Sequence, residues 1–433
     1  MKSNPVLFIA SRFFIGRKDE GGGRDQARKA LAGAVLSIAL SLIPLITVMQ
    51  VADGMIQGIS ARYVELGTYH AQAWPYASSD LTGARDAARK APGVKGAWIE
   101  TQSLGIVFAN GSREGAAIRG VDQGFLLDPG TSAYLRVLSG TVSLENPYDA
   151  IVGQAMAEKL NLIPGDQVNL ISIRRASSGS LLPRVNIFTV RGIVSAGYRD
   201  LDAQWLFIRQ DTAARILPKE NTRSFIGIKS ECSFNDAAFS MNSVSDRLPP
   251  GFSLYTWREI ERNLFESLAS TRTMLLLIMA VTVAVAAVNV SSALTTLVLE
   301  RGQEIAVLKS LGATPAEIAN IFSLGGTTIG GFGAVLGVAG GLLASTRIND
   351  VLSFIEKTQN WFRLMISRLS GAPAPVVQRL LDPAYYLETI PVDVPFFEMV
   401  IVVVSTVVLS FVASIGPASR AANLTPLDSF RKR

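Results

Sequence analysis

Apolar residues run without a charge from Leu31 to Met49, from Met274 to Leu299 and from Ile318 to Thr346, and again from Phe396 to about Ile415, where Glu398 interrupts near the start. At about 1.5 Å of rise per helical residue, each stretch is long enough for the ~30 Å hydrocarbon layer of a bilayer, so the pattern predicts four transmembrane helices. Arg272 and Glu300 bracket the second stretch, and Glu317 and Arg347 the third. A cleaved signal peptide competes for the first stretch. Its uncharged run is longer than a signal's apolar core and a long charged segment precedes it, which favours an uncleaved anchor.

From 52 to 270 the pattern changes to short apolar segments punctuated by turn residues. Asp80 opens a short helical pattern ending before Pro92-Gly93. Ala97-Trp98-Ile99 and Gly105-Ile106-Val107-Phe108 read as strands broken by Asn110-Gly111. Ala155 to Leu160 reads as helix, and Pro164-Gly165-Asp166 as a turn into a strand from Val168 to Ile173; Phe188 to Val194 and Trp205 to Ile208 are further strands. The fold class expected is thus a four-helix membrane protein with a large α+β domain inserted between helices 1 and 2. In numbers, the expected parts are an N-terminal segment 1–30, spans at 31–51, 271–299, 318–346 and 396–415, the domain at 52–270, a link at 300–317, a connection at 347–395 and a tail at 416–433.

Composition agrees with a divided chain. A mean hydropathy of +0.31 with 18% charged residues is too apolar for an ordinary soluble protein and too charged for one wholly in the membrane. The net charge of +6 is concentrated at the ends and beside apolar spans, with no basic stripe interleaved with aromatics, which argues for membrane orientation and against nucleic acid. Lys2, Arg12, Arg17, Lys18, Arg24, Arg28 and Lys29 at one end and Arg420, Arg431, Lys432 and Arg433 at the other assign both termini to the cytoplasm. An even number of spans agrees, and the α+β domain then lies outside. Asn4 to Gly16 reads either as an amphipathic helix on the cytoplasmic face or as a disordered tail, and it is followed by the Gly-rich Lys18 to Arg24. The 347–395 connection carries Trp361, Phe362, Leu364 and Met365 among charges before a break at Pro373 and Pro375, and is expected to hold a helix resting on the membrane surface.

Chemistry is sparse. The single cysteine, Cys232, cannot form an internal disulfide, and the single histidine, His70, reads as a structural or surface residue. No Gly-Lys dipeptide occurs, so there is no P-loop; G-x-S-x-G and H-E-x-x-H are missing too. The chain is read as a non-enzyme that binds no cofactor of its own. Any ATP and Mg are used by another subunit.

The link between spans two and three is the most informative stretch. Ile305, Leu308 and Leu311 are read as one helical face, Gly312 as the helix terminator, and Thr314-Pro315-Ala316-Glu317 as a capping box opening the next helix. Such a short capped helix is either a lever for a cytoplasmic motor or an ordinary structured loop. In span three, Gly326/Gly330, Gly333/Gly337 and Gly337/Gly341 place small residues one turn apart, for packing within the chain or for a dimer seam. Asn289 is read as bonding across helices or as satisfied locally.

At these residues the sequence resembles the FtsX-like permease superfamily of ABC transporters, most closely its lipoprotein-releasing (Lol) branch. Glu300 to Thr314 resembles the family's R/K-x-x-E-I-A-x-L-K-x-L-G-A-T coupling segment, and Pro417 to Asp428 its P-A-x-x-A-A-x-L-x-P-x-x-A tail. Trp257 to Phe265 is similar to the family's approach to the second span, and Ile118-Arg119-Gly120-Val121-Asp122, Ile151-Val152-Gly153 and Gly165-Asp166-Gln167-Val168 resemble its R-G-V-D, I-x-G and G-D-x-V signatures. The enlarged 347–395 connection and the Lys18 to Arg24 insertion depart from the pattern.

The resemblance implies a multi-pass protein of the bacterial inner membrane whose periplasmic domain resembles that of MacB. It implies as partners a cytoplasmic ABC ATPase dimer and a second permease protomer, identical or homologous. Membrane lipids, a lipoprotein cargo and a periplasmic lipoprotein carrier complete the set. ATPase coupling would fall on Glu304, Ile305, Leu308, Lys309, Leu311 and Gly312. A hairpin from Ile173 to Ile187, with Arg174, Arg175, Leu181, Leu182, Pro183 and Arg184, would form an apolar tip that docks the carrier, its alternative being a plain polar hairpin loop. Val48, Val51, Met55, Leu264 and Leu268 would admit lipid or cargo between spans one and two, their alternative being ordinary helix packing. An exporter of small amphiphiles or antibiotics, and a non-transporting regulator transmitting ATPase motion to a periplasmic partner, are the competing readings.

Overall fold

The computed structural model describes residues 24–76, 79–175, 181–218, 222–231, 237–370 and 396–423. Asn4 to Gly16, residues 18–23 of the Gly-rich stretch, Cys232, Pro373, Pro375 and the tail beyond Asn423 lie outside them. The chain divides into two compact units, one within Met1–Gly54, Ala269–Ile355 and Pro391–Arg433, the other within Met55–Leu268 and Glu356–Ile390.

The first unit is helical. Four helices are long and apolar enough to cross a membrane. They belong to α1 (Arg24–Arg62), α5 (Arg262–Glu300), α7 (Pro315–Thr346) and α9 (Phe396–Asn423). The remaining helices that matter here are α2 (Leu81–Arg89), α3 (Gln154–Leu160), α4 (Gln210–Ile216), α6 (Gly302–Ser310) and α8 (Ile348–Ser370). Ile38, Leu42 and Ile46 of α1 share a core with Val290 and Leu294 of α5, Phe322 and Ile329 of α7, and Val402 and Ala418 of α9.

The glycines of α7 serve this core. A Cβ on Gly326 would sit 2.6 Å from the Ser414 Cβ of α9, and one on Gly330 would strike Ser410. Further along, Cβ atoms on Gly333, Gly337 and Gly341 would come within 2.7–2.8 Å of Ile38, Leu42 and Ile46. Of the two roles open to the small-residue face, packing within the chain is the one it fills, because side chains of α1 and α9 already occupy it. Asn289 Nδ2 donates to Ser37 Oγ at 3.1 Å, a bond across helices α5 and α1.

The second unit is built on a ten-stranded mixed sheet. Its strands are β1 (Ala71–Pro75), β2 (Val94–Ala109), β3 (Ser112–Val121), β4 (Arg136–Gly140), β5 (Asp149–Gly153), β6 (Gln167–Arg175), β7 (Leu181–Ser195), β8 (Trp205–Arg209), β9 (Thr222–Ser230) and β10 (Phe252–Thr256). They lie in the order β10-β1-β9-β2-β3-β8-β5-β7-β4, with β6 paired to β2 and β7; of the described pairs, β3–β8 and β5–β7 are parallel. The two strands expected either side of Thr101 are one, because the polar Glu100 to Ser103 stretch is paired with β9 throughout and with β3 from Thr101 on. Asn110 (φ 50°) and Gly111 (φ 79°) make the two-residue turn to β3, whose positive φ values suit this residue pair. Helices α3 and α4 cover one face through Met156, Leu160, Ala213 and Ile216.

Candidate functional site

Helix α6 is the expected link helix, and its ends are set as the sequence implies. Gly312 adopts φ 98° and donates to the Lys309 carbonyl at 3.0 Å, while Ala313 N–H donates to the Leu308 carbonyl at 3.1 Å. Thr314 then caps α7: the Glu317 N–H donates to its Oγ1 at 3.3 Å and the Glu317 carboxylate accepts the Thr314 N–H at 2.9 Å.

The exposed face differs from expectation. Ile305 is fully buried in the same core as Leu294, Ile318 and Ala421, so it anchors α6 and is not a contact surface. Leu311 is 79% exposed but lies past the end of the helix, and Leu308 is half-buried. Steps of three residues rotate around a 3.6-residue helix, so these three positions drift off a common face. Val307, which the three-residue spacing leaves out, is exposed beside them. Glu304 is engaged by Arg301, and Lys309 Nζ donates to the Ala422 carbonyl of α9 at 2.5 Å. Small buried residues at Ala418, Ala421 and Ala422 give the tail motif its packing reason.

The hairpin is present as β6 and β7, but its apolar triple is not at the tip. Arg175 pairs with Leu181, Arg174 with Leu182 and Ile173 with Pro183, which places all three in a strand; residues 176–180 lie outside the described ones. Arg184 is exposed. At the base, Val185 pairs with Ile171 and Ile171 with Ile106, and Val185, Ile187, Ile106, Phe108 and Leu104 are all exposed on strands β2 and β7. The alternation of these residues with buried Val107 and Phe188 is the sequence signal for that surface.

Of the residues expected to admit cargo, Val48 is exposed and Val51, Met55 and Leu264 are half-buried. Leu268 packs against the aromatic cluster of the sheet unit that contains Tyr69, Trp205 and Phe207, so it is occupied by internal packing. In the helical unit, the guanidinium of Arg272 on α5 lies 3.2 Å from Asp53 of α1 and also pairs with Glu398 of α9. One cation thereby joins three of the long helices.

The R-G-V-D segment has an internal role. Arg119 is buried and holds Glu100 through two nitrogens, at 2.6 and 2.8 Å, and its third donates to the Leu66 carbonyl. Tyr69 Oη donates to the same carboxylate at 2.5 Å; burial above all, then the Glu100 charge, holds that phenol well above its usual range. Leu66 belongs to a π-helical turn, Tyr63–Thr68, that continues α1. On the same turn Glu65 meets the buried Lys229 at 2.9 Å, and Lys229 also binds Asp128 at 2.9 Å. Two buried cations therefore fasten this turn to the sheet. Trp257 and Phe265, at the approach to and start of α5, stack edge to face with centroids 4.3 Å apart. Among the described residues no three His, Cys, Asp or Glu side chains gather as a metal site.

Two family models match. Residues 31–244 match the MacB-like periplasmic core domain and residues 276–426 the FtsX-like permease C-terminal region. Among curated relatives, the lipoprotein-releasing system transmembrane protein LolC of Xylella fastidiosa is 27% identical over 413 residues, covering 92% of both chains. The protein of the same name from Neisseria meningitidis is 25% identical over 434 residues, covering 98% of both. Among solved structures, the periplasmic region of MacB from Actinobacillus actinomycetemcomitans aligns with 46% of this chain and 93% of its own at 13% identity and a TM-score of 0.30.

Proposed function

The chain belongs to the FtsX-like permease superfamily, and from that premise we propose that it is the membrane subunit of an ABC-type system that releases lipoproteins from the inner membrane. The observation that carries the reading is the match to lipoprotein-releasing LolC proteins along nearly the whole of both chains, sheet unit and long helices together. The physics is consistent with an external motor. Each acyl CH₂ moved from lipid to water costs about 0.8 kcal/mol, so extracting a lipid anchor needs an energy source and a sheltered route.

In this reading both termini are cytoplasmic, the sheet unit is periplasmic, and a separate ATPase dimer with its ATP and Mg works on α6. The ATPase contact falls on Val307, Leu311 and the exposed part of Glu304, with Ile305 and Lys309 passing the displacement inward. The β6–β7 hairpin docks a periplasmic carrier, and a second permease protomer completes the channel.

The test is reconstitution with the partner ATPase and a fluorescent lipoprotein in proteoliposomes. Transfer of lipoprotein to a soluble carrier should require ATP and this chain. Transfer of a small amphiphile without lipoprotein, or ATPase activity coupled to no release at all, would overturn the reading in favour of an exporter or a regulator respectively.

A further inference from the structure

A cleft of about 830 Å³ in the sheet unit is lined by the π-helical turn, by residues of β1, β2 and β9, and by Ile260 and Glu261 just before α5. That volume falls in the range of about 300–1,000 Å³ usual for ligand sites. Its walls mix aromatic and amide groups. Trp74 carries the Arg223 guanidinium 5.4 Å above its ring and donates its indole N–H to Gln72 at 2.8 Å, and Gln102 and Gln204 also line the cleft. The Gln72 and Gln102 amides donate to the Thr68 carbonyl and to Glu100, whereas Gln204 is exposed.

The lining carries charges of both signs. Arg223 is held against Trp74 and Arg119 is paired with Glu100, while Asp200 and Glu261 line the cleft together with Tyr63. Asp200 accepts the Tyr198 hydroxyl at 3.0 Å. Glu261 is half-buried in the lining, burial pushes its carboxyl above the usual carboxylate range, and no salt bridge engages it among the described residues. A carboxylate held out of water without a counter-charge gains from an incoming cation, and gains more there than at the surface. Amide side chains beside aromatic faces suit peptide groups, which need a donor, an acceptor and an apolar surface in alternation.

We propose that this cleft binds an extended polypeptide segment, its lysine or arginine side chain against Glu261 and Asp200 and its peptide groups along Gln204 and Trp74. Resting on the cargo reading above, the segment is the part of the lipoprotein chain that follows the lipid anchor, since the lining includes the turn that continues α1 and the residue before α5, next to the stretches that carry Met55 and Leu264. The acyl chains and the polypeptide would then be held by separate surfaces.

The probe is a fluorescent, non-lipidated peptide, Gly-Ser-Lys-Ser-Gly, titrated against the full-length protein in detergent and read by anisotropy, with Glu in place of Lys as the control. The lysine peptide should bind more tightly than the glutamate peptide. Glu261→Gln should weaken it about ten-fold, as expected for loss of one charge-assisted contact. Gln204→Ala, at an exposed position that leaves folding intact, should weaken both peptides alike. Equal binding of the two peptides, or unchanged binding in Glu261→Gln, would overturn the site. Intact peptide binding with no lipoprotein release in the proteoliposome assay would instead remove the cargo reading and leave the cleft standing.

Discussion

The ammonium of Lys309 donates to the backbone carbonyl of Ala422 at 2.5 Å, so the link helix and the end of the last long helix are joined by a charge-assisted bond to the main chain. The carbonyl belongs to the last turn of α9, where the helix itself supplies no N–H to it.

Removing this bond should uncouple the two helices without unfolding either. Lys309→Met keeps the aliphatic stem and loses the donor. ATP-dependent lipoprotein release by the reconstituted complex should fall several-fold while ATP hydrolysis persists. Release at the normal rate would show that α9 does not follow α6.

Ile305 and Leu311 should behave oppositely despite their similar chemistry. Ile305→Ala opens a cavity in a closed core and should cost about 2–5 kcal/mol, seen as a lower melting temperature in detergent. Leu311→Asp, at an exposed position, should leave melting unchanged and abolish stimulation of the ATPase. Equal destabilisation by the two would refute the assignment of buried and presented faces.

Arg119→Met strands the Glu100 carboxylate in the sheet core and should destabilise the protein by about 3–5 kcal/mol. Arg119→Lys should rescue little of this, because one ammonium cannot bind both carboxylate oxygens and the Leu66 carbonyl together. Thermal melting of the wild type, Arg119→Met, Glu100→Met and Arg119→Met/Glu100→Met closes a cycle that measures the pair directly, with Arg119→Lys melted alongside.

His70 is buried, and burial, the largest influence, holds its imidazole below the usual range despite the nearby Glu65. A group with a depressed pKa in the folded state binds fewer protons there than when unfolded. Its stabilisation is complete above the unfolded value near 6.5 and is lost as pH falls through the folded one. The melting temperature should drop as pH is lowered from above that value to below it, and His70→Gln should drop less over the same interval. Parallel curves would show that the acid sensitivity lies elsewhere.

The sequence reveals the long helices because an uncharged run of about twenty residues has few other uses, yet it does not reveal where they stop. Arg262 to Thr273 includes the charged Arg262, Glu266 and Arg272 and still belongs to α5, since a helix leaving an apolar medium can remain a helix. Gly312 and the Thr314–Glu317 box are readable as local backbone chemistry, with partners only a few residues away. Which side of α6 faces inward is not, because it depends on Ala418 and Ala421, far along the chain. The same limit hides Lys229 and Arg119: a lone basic residue in a strand looks like a solvated one until Asp128 or Glu100 is brought to it. The hairpin is legible as a hairpin, whereas its register, which moves Leu181 to Pro183 off the tip, follows from pairing along the whole of β6 and much of β7.

The glycine contacts of α7 fall into two groups by partner: the end nearer α6 meets α9 through Gly326 and Gly330, and the far end meets α1 through Gly333, Gly337 and Gly341. Each end of α7 is therefore seated against a different helix with no room for a side chain between them. A larger residue at Gly326 or Gly330 would pry open the seam with α9, whereas one at Gly333, Gly337 or Gly341 would pry open the seam with α1.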